Sequence, residues 1–380
     1  MIRPGRFSLL LLGTLLASAP AARGDKIHLT DGRVVADIRI VAETIAEVAY
    51  KKGNDPQTVP SEKILRVEYE RFPRPIEEAE TSLAEGDFPG AIQSYDEYVD
   101  GQIQNPTERQ AWAPPYAAWR CVELRMEVAN LDGAIERATL LIQHFPQSRY
   151  LPSAYLAKAS AELQMNQPAK ATATLADFFQ LIQTSSLSKR WDLECRLAQI
   201  QADQASAGED KREKLGDIIG EAGQDYPTVK SRARVVQGET YLIEAEAARS
   251  DAAKAAGLRS RARTVFEEIA ANPGADDETL AGAYTGLGDC LFYEGWQGDE
   301  PAKLRQALLH YLRVVVNHEG QSRYVPKALF YAMRCFDLLQ GSTPDEDQKK
   351  TYRTRRFEMK RELLRLYPDS VFAREAKKSS

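Results

Sequence analysis

Gln147-Ser148-Arg149-Tyr150-Leu151-Pro152-Ser153-Ala154 returns, little changed, as Gln321-Ser322-Arg323-Tyr324-Val325-Pro326-Lys327-Ala328. The separation of 174 residues fits five steps of about 35 residues, or four lengthened ones of about 43. Periods of that size belong to helix-pair repeats. Each pair leaves one apolar face bare and covers it only against the next pair, so the chain must stack its units into a curved rod. Such a rod presents a surface rather than a reaction pocket.

Outward from the octapeptide, a frame recurs from Ile76 onward. In Gly86-Asp87-Phe88-Pro89-Gly90-Ala91-Ile92-Gln93-Ser94-Tyr95 the first glycine turns the chain between helices. Ala91, Tyr95 and Tyr98 then form the inner face of a second helix, the small Ala91 permitting close approach. The frame repeats as Ala134, Ala138, Leu141 and Pro146; Ala171, Leu175 and Phe178; Ala262, Phe266, Ile269 and Pro273; and Ala307, Tyr311 and Val314. A proline after a second helix stops it. First helices match less regularly, although Tyr284, Leu287, Gly288, Leu291 and Gly295 keep helical spacing, with Gly288 expected to admit the partner helix.

With junctions such as Phe145-Pro146-Gln147-Ser148 and Tyr367-Pro368-Asp369-Ser370, residues 76–376 resemble tetratricopeptide repeat proteins of the bacterial cell envelope. The fold expected is mainly α: a solenoid of about seven helix pairs, at 76–104, 114–146, 151–183, 188–227, 229–273, 277–317 and 324–368. The resemblance implies that first helices line a concave groove for partner peptides. Extra residues at Ala248 to Leu258 and Trp296 to Leu304 are expected between the helices of a pair, on one edge of the rod. The family's Asn and Lys clamp for a free C-terminus is not evident.

Residues 25–70 read differently. Lys26 to Leu29, Val34 to Val41, Ile45 to Tyr50, Gln57 to Val59 and Ile64 to Tyr69 are strand-like, with Asp31-Gly32 and Gly53-Asn54-Asp55-Pro56 as hairpin turns. Five short strands bury an interior only by curling. The unit resembles the SH3-like or Sm-like small barrels at the head of some bacterial envelope proteins. Pro73 and Pro75 mark a linker at 71–75, and 377–380 reads as a tail.

Arg3 and Arg6, the apolar run Phe7 to Leu16 and the small residues Ala17 to Ala22 read as an export signal over 1–24. No cysteine follows it for lipid anchoring, so a periplasmic or secreted protein without a transmembrane segment is expected. The composition, 43% hydrophobic and 28% charged, excludes disorder. The net charge of −5 hides an asymmetry: Lys349 to Lys378 carries eleven Lys/Arg against four Asp/Glu, or +7, leaving −12 for the rest. Cys121, Cys195, Cys290 and Cys335 are spread along a nearly one-dimensional fold and read as buried free thiols in first helices; Cys290 with Cys335 is the one credible bridge.

Catalysis needs convergent titratable groups, yet the chain has four histidines. His28, His144, His310 and His318 read as surface or cap residues. No His-Glu-x-x-His, paired Cys-x-x-Cys, phosphate loop or nucleophile elbow occurs, so no catalytic residue, cofactor or metal is assigned. Asp276-Asp277-Glu278 reads as a helix cap. The last long helix has Tyr352, Met359, Leu363 and Leu366 as an inner stripe, and the basic stretch Lys349 to Lys378 offers a weak contact for anionic surfaces, its plainer reading being a solvated cap. Nucleic acid is not expected as a partner.

The binding candidates are aromatic: Trp112, Tyr116, Trp119, Tyr155, Tyr284 and Trp296, with packing between repeats as the plainer alternative for all but Trp296. The expected function is an exported, non-catalytic scaffold that binds a protein or peptide partner in the envelope. An alternative gives the binding of glycan, peptide or another ligand to the β unit, with the repeats as spacer. An enzyme is the third reading, and it lacks a visible site.

Overall fold

The computed structural model describes residues 24–106 and 110–378. The expected export segment, except Gly24, and the last two residues of the tail lie outside them. Among the described residues five strands come first, β1 (Asp25–Leu29), β2 (Val34–Glu43), β3 (Glu47–Lys52), β4 (Asp55–Pro60) and β5 (Ile64–Glu68), with a 3-10 turn at Ser61–Lys63. All neighbouring strands are antiparallel, in the order β4-β3-β2-β1-β5. Alternation turns Ile27, Leu29, Ile38, Ile40, Val48 and Tyr50 inward, while Val34 and Leu65 stay exposed. The Asp25 carboxylate ties the unit's ends, accepting 2.8 Å hydrogen bonds from the backbone N–H of Ile40 and of Glu70. One turn is shorter than expected: Gly53-Asn54 alone makes it, and Asp55-Pro56 opens β4. Pro56 is tolerated because β4 is an edge strand.

Fifteen helices follow among the described residues: α1 (Arg74–Ala84), α2 (Phe88–Gln104), α3 (Ala113–Glu127), α4 (Leu131–His144), α5 (Leu151–Gln164), α6 (Pro168–Thr184), α7 (Lys189–Ala202), α8 (Gly208–Ala222), α9 (Pro227–Ala247), α10 (Ala252–Ala270), α11 (Asp277–Gln297), α12 (Pro301–Asn317), α13 (Val325–Ser342), α14 (Glu346–Leu366) and α15 (Val371–Lys378). The first fourteen form seven sequence-adjacent pairs, and each odd-numbered helix from α3 to α11 also touches the next odd-numbered one. This is a helical solenoid led by a small antiparallel sheet. The recurrent alanines Ala91, Ala134, Ala171, Ala262 and Ala307 are buried at the crossings. Glycine does the same work on α11, where a Cβ at Gly288 would lie 2.6 Å from the Tyr311 ring. Side-chain caps recur too: Asp87, Asn130, Asp251 and Asp276 each accept from the backbone N–H three residues on.

The extra residues do not form edge loops. Ala252 to Leu258 lengthen α10, and Trp296 sits in the last turn of α11, so both pairs are simply longer. Alanine-rich sequence favours helix, Leu258 and Leu304 are buried, and Leu304 lies against Gly295 of α11, which keeps the extension packed.

The apolar interior is divided into six clusters of buried residues rather than one shared core. The largest runs from β1 to α5 and joins the sheet to the first repeats. The rod does not stay open. Ala129, at the α3–α4 corner, packs against the terminal cluster that includes Ala373 and Ala376 of α15. Leu131 and Phe372 line one small cavity. The array therefore winds until its second repeat meets its last helix, and the odd-numbered helices enclose an interior.

Candidate interior binding channel

Two adjoining cavities of about 380 and 670 Å³ fill that interior. They share Leu156, Ser160, Gln164, Glu194, Arg232, Glu278 and Arg323, so they form one channel. One end is apolar and aromatic, with Trp119, Met126 and Trp191; the other carries Leu197, Gln201, Gln204 and Val235. The walls come from the first helices α3, α5, α7, α9 and α11, and the segment before α13 closes the far side with the second octapeptide.

Charge is concentrated at the waist. Arg232 donates to Glu278 at 2.6 Å and to Glu194 at 3.4 Å. Burial works against its charge, yet Glu278 and Glu194 more than offset this and hold the guanidinium protonated. Arg323 stacks on Tyr324 at 5.1 Å and reaches Glu239 only at 3.4 Å. With the Gln201 amide oxygen turned toward it, both terminal nitrogens of Arg323 donate to that oxygen at 2.8 Å. A neutral amide thus occupies the fork that suits a carboxylate best. Among the described residues, Thr279 Oγ1 and Arg232 Nε have no hydrogen-bond partner, although both residues line the channel. Unpaired polar atoms there are costly when dry and favour a polar guest or water.

The six aromatic candidates do not converge. Trp112 is buried, its ring 3.5 Å from that of Tyr69 and nearly parallel. Tyr116 donates to Glu80 at 2.5 Å and stands edge-on to Tyr69. Both therefore lie where the strand unit meets the first repeats. Trp119 stacks near Tyr150 at 6.1 Å and is the one candidate of the six on the channel wall. Tyr155 stacks on Phe178, and Tyr284 lies between His310 and His318 with Arg313 over its ring. Trp296 is 48% exposed on the outside.

Two histidines sit at helix ends, as the cap reading expects, His144 closing α4 and His318 forming the C-cap of α12, while His28 and His310 do not. His144 is exposed, but His28 and His310 are half-buried, and His318, at the end of α12, is buried against Asp277 at 2.5 Å. Asp276-Asp277-Glu278 divides its work: Asp276 caps α11, Asp277 holds His318 and Gln321, and Glu278 turns into the channel. All four cysteines are buried and free, so Cys290 and Cys335 are not bridged. Among the described residues no group of three His, Cys, Asp or Glu side chains could hold a metal ion, and no helix is long and apolar enough to cross a membrane.

No family model matches the chain, and no curated protein matches it. Among solved structures, it is similar to the myosin chaperone UNC-45 from C. elegans in complex with an Hsp90 peptide, at 12% identity and a TM-score of 0.25. The similarity covers 80% of this chain and 34% of that one, so the chain spans about a third of that protein's length.

Proposed function

We propose that this protein is an exported, non-catalytic scaffold of tetratricopeptide-like repeats that holds a segment of a partner protein in its interior channel. The observation that carries the reading is the channel itself. It is continuous, it is built from first helices, and it offers in order an aromatic end, a charged waist and an amide-rich end. An extended polypeptide presents that mixture of apolar, charged and backbone groups along one line. Export rests on Arg3, Arg6 and the apolar run that follows. An SH3-like reading of the head unit is supported by the strand order, in which β5 returns to pair with β1.

Photo-crosslinkers placed at Ser160 and Gln164, inside the channel, test this in living cells. A protein adduct is expected at both positions and should be lost in Arg323→Ala. That variant should cost less stability than Arg149→Ala, because Arg323 and Glu239 keep about 30% exposure each and meet only at 3.4 Å. Adducts that persist in Arg323→Ala, or that form only from the strand unit, would overturn the reading. A second reading places the ligand on the strand unit. It is favoured by a cleft of about 710 Å³ between β2 and the linker, lined by Arg39, Lys51 and Arg71. A crosslinker at Val41 in that cleft separates the two.

A further inference from the structure

Helix α14 has two faces of opposite character. Tyr352, Met359, Leu363 and Leu366 lie toward the repeat, and Leu363 is fully buried. On the opposite side Lys350, Arg353, Phe357 and Arg361 follow at spacings of three, four and four, with Arg365 beside them. Lys350, Arg353, Arg361 and Arg365 are exposed, and none has an ion-pair partner among the described residues. Their neighbours off this face are paired: Lys349 with Glu346, Arg355 with Glu358 and Arg356 with Asp337. Phe357, at the centre of the cations, is 54% exposed although Arg356 lies over its ring at 5.2 Å.

A solvated end cap needs charge but has no use for an exposed phenyl ring at the middle of it. We infer that this face of α14 binds the surface of a lipid bilayer rich in anionic headgroups, with Phe357 entering the headgroup boundary and the four free cations contacting phosphates around it. Two features favour a bilayer over a folded partner. The face is a single convex helix, to which a fluid surface conforms without a matching groove. The ring lies among unpaired cations, and the one acid on that stripe, Glu346, sits at its start and is held by Lys349, which is the arrangement of interfacial helices. The acidic remainder of the chain, at −12, would be repelled by the same surface, so the solenoid is held at its α14 end.

Co-sedimentation of the whole chain with vesicles of phosphatidylcholine, alone or mixed with phosphatidylglycerol, tests this at low and high salt. Partition into the mixed vesicles only, weakened by salt, is expected. Arg353→Ala with Arg361→Ala should reduce it about 25-fold, at about fivefold per cation. Phe357→Ala should reduce it about fivefold while leaving the salt dependence unchanged. These side chains point away from the repeat, so circular dichroism should show each variant folded. All variants share the same N-terminal apolar run, which therefore contributes equally. Equal partition into both lipids, or full binding by the double variant, overturns the inference. So does self-association that the double variant abolishes in the absence of lipid binding, which would make a second copy's acidic surface the occupant.

Discussion

The two copies of the octapeptide adopt the same local structure and do opposite things. In each, the serine is buried, the proline opens a helix and the arginine lies over the ring of the tyrosine that follows, at 4.2 Å for Arg149 and 5.1 Å for Arg323. Arg149 then meets Glu43 of β2 in a pair whose side chains are 9% and 3% exposed, with Tyr69 donating to the same carboxylate. The neighbouring Gln147 carbonyl accepts from Ile45 N–H at 2.8 Å, so the first copy clasps the strand unit. Arg323 has only a long contact to Glu239 and an amide, and opens on the channel. The motif builds a stacked, pre-oriented guanidinium; what the fold carries over it decides whether that group is a rivet or a receptor.

Breaking the rivet should have the largest effect. Arg149→Ala leaves Glu43 buried and uncompensated, and about 3–5 kcal/mol of stability should be lost in urea unfolding. A loss as small as that of Arg323→Ala would erase the distinction between the copies. The next test uses the letter that differs most between them, Ser153 against Lys327. Lys327 donates to Asp289 at 2.5 Å, and Asp289 also accepts from Tyr311 at 2.8 Å. Lys327→Ala leaves a buried carboxylate with one donor and should cost about 1–3 kcal/mol, whereas Ser153→Ala should be nearly silent.

A finer test asks whether the helices lining the channel are closed to water. Burial, then Asp192, pushes the Cys195 thiol up to about 12; burial, then Asp289, does the same for Cys290. Below an unfolded thiol pKa of about 8.5 both states are protonated and nothing is lost. Above it only the unfolded state ionises, so stability should fall by roughly 1.4 kcal/mol per pH unit for each thiol until about pH 12. Urea midpoints at rising pH measure this, and Cys290→Ala should flatten the slope. A flat profile in the unsubstituted protein would mean that the channel half admits water to its thiols.

The helix pairs were legible because their cause is local. Ala91 with Tyr95, Ala262 with Phe266 and Ala307 with Tyr311 place a small and a large residue one turn apart, which specifies a close crossing wherever it occurs. The strands were legible from alternation, and the seven pairs stand where the spacing put them. The lengthened pairs were misread as loops because their extra residues were counted as insertions although Ala252 to Ala256 is good helix sequence. The channel was largely illegible. Glu194, Arg232 and Gln201 lie on irregular first helices and look like any solvated polar residue. Glu278 was hidden inside a capping cluster. Trp119 carried a signal as an aromatic on a first helix, and Arg323 as half of a repeated word whose other half, Arg149, is buried elsewhere.

From its letters alone the chain determined a small sheet followed by paired helices, because alternation and the four-residue step act between neighbours within one or two turns. Only the tertiary structure decided that the rod closes, so that Ala129 meets the terminal helices and Arg323 reaches Gln201 on the channel wall. Winding is the accumulated sum of small rotations between successive pairs, each set by how side chains interlock, and no single residue encodes that sum.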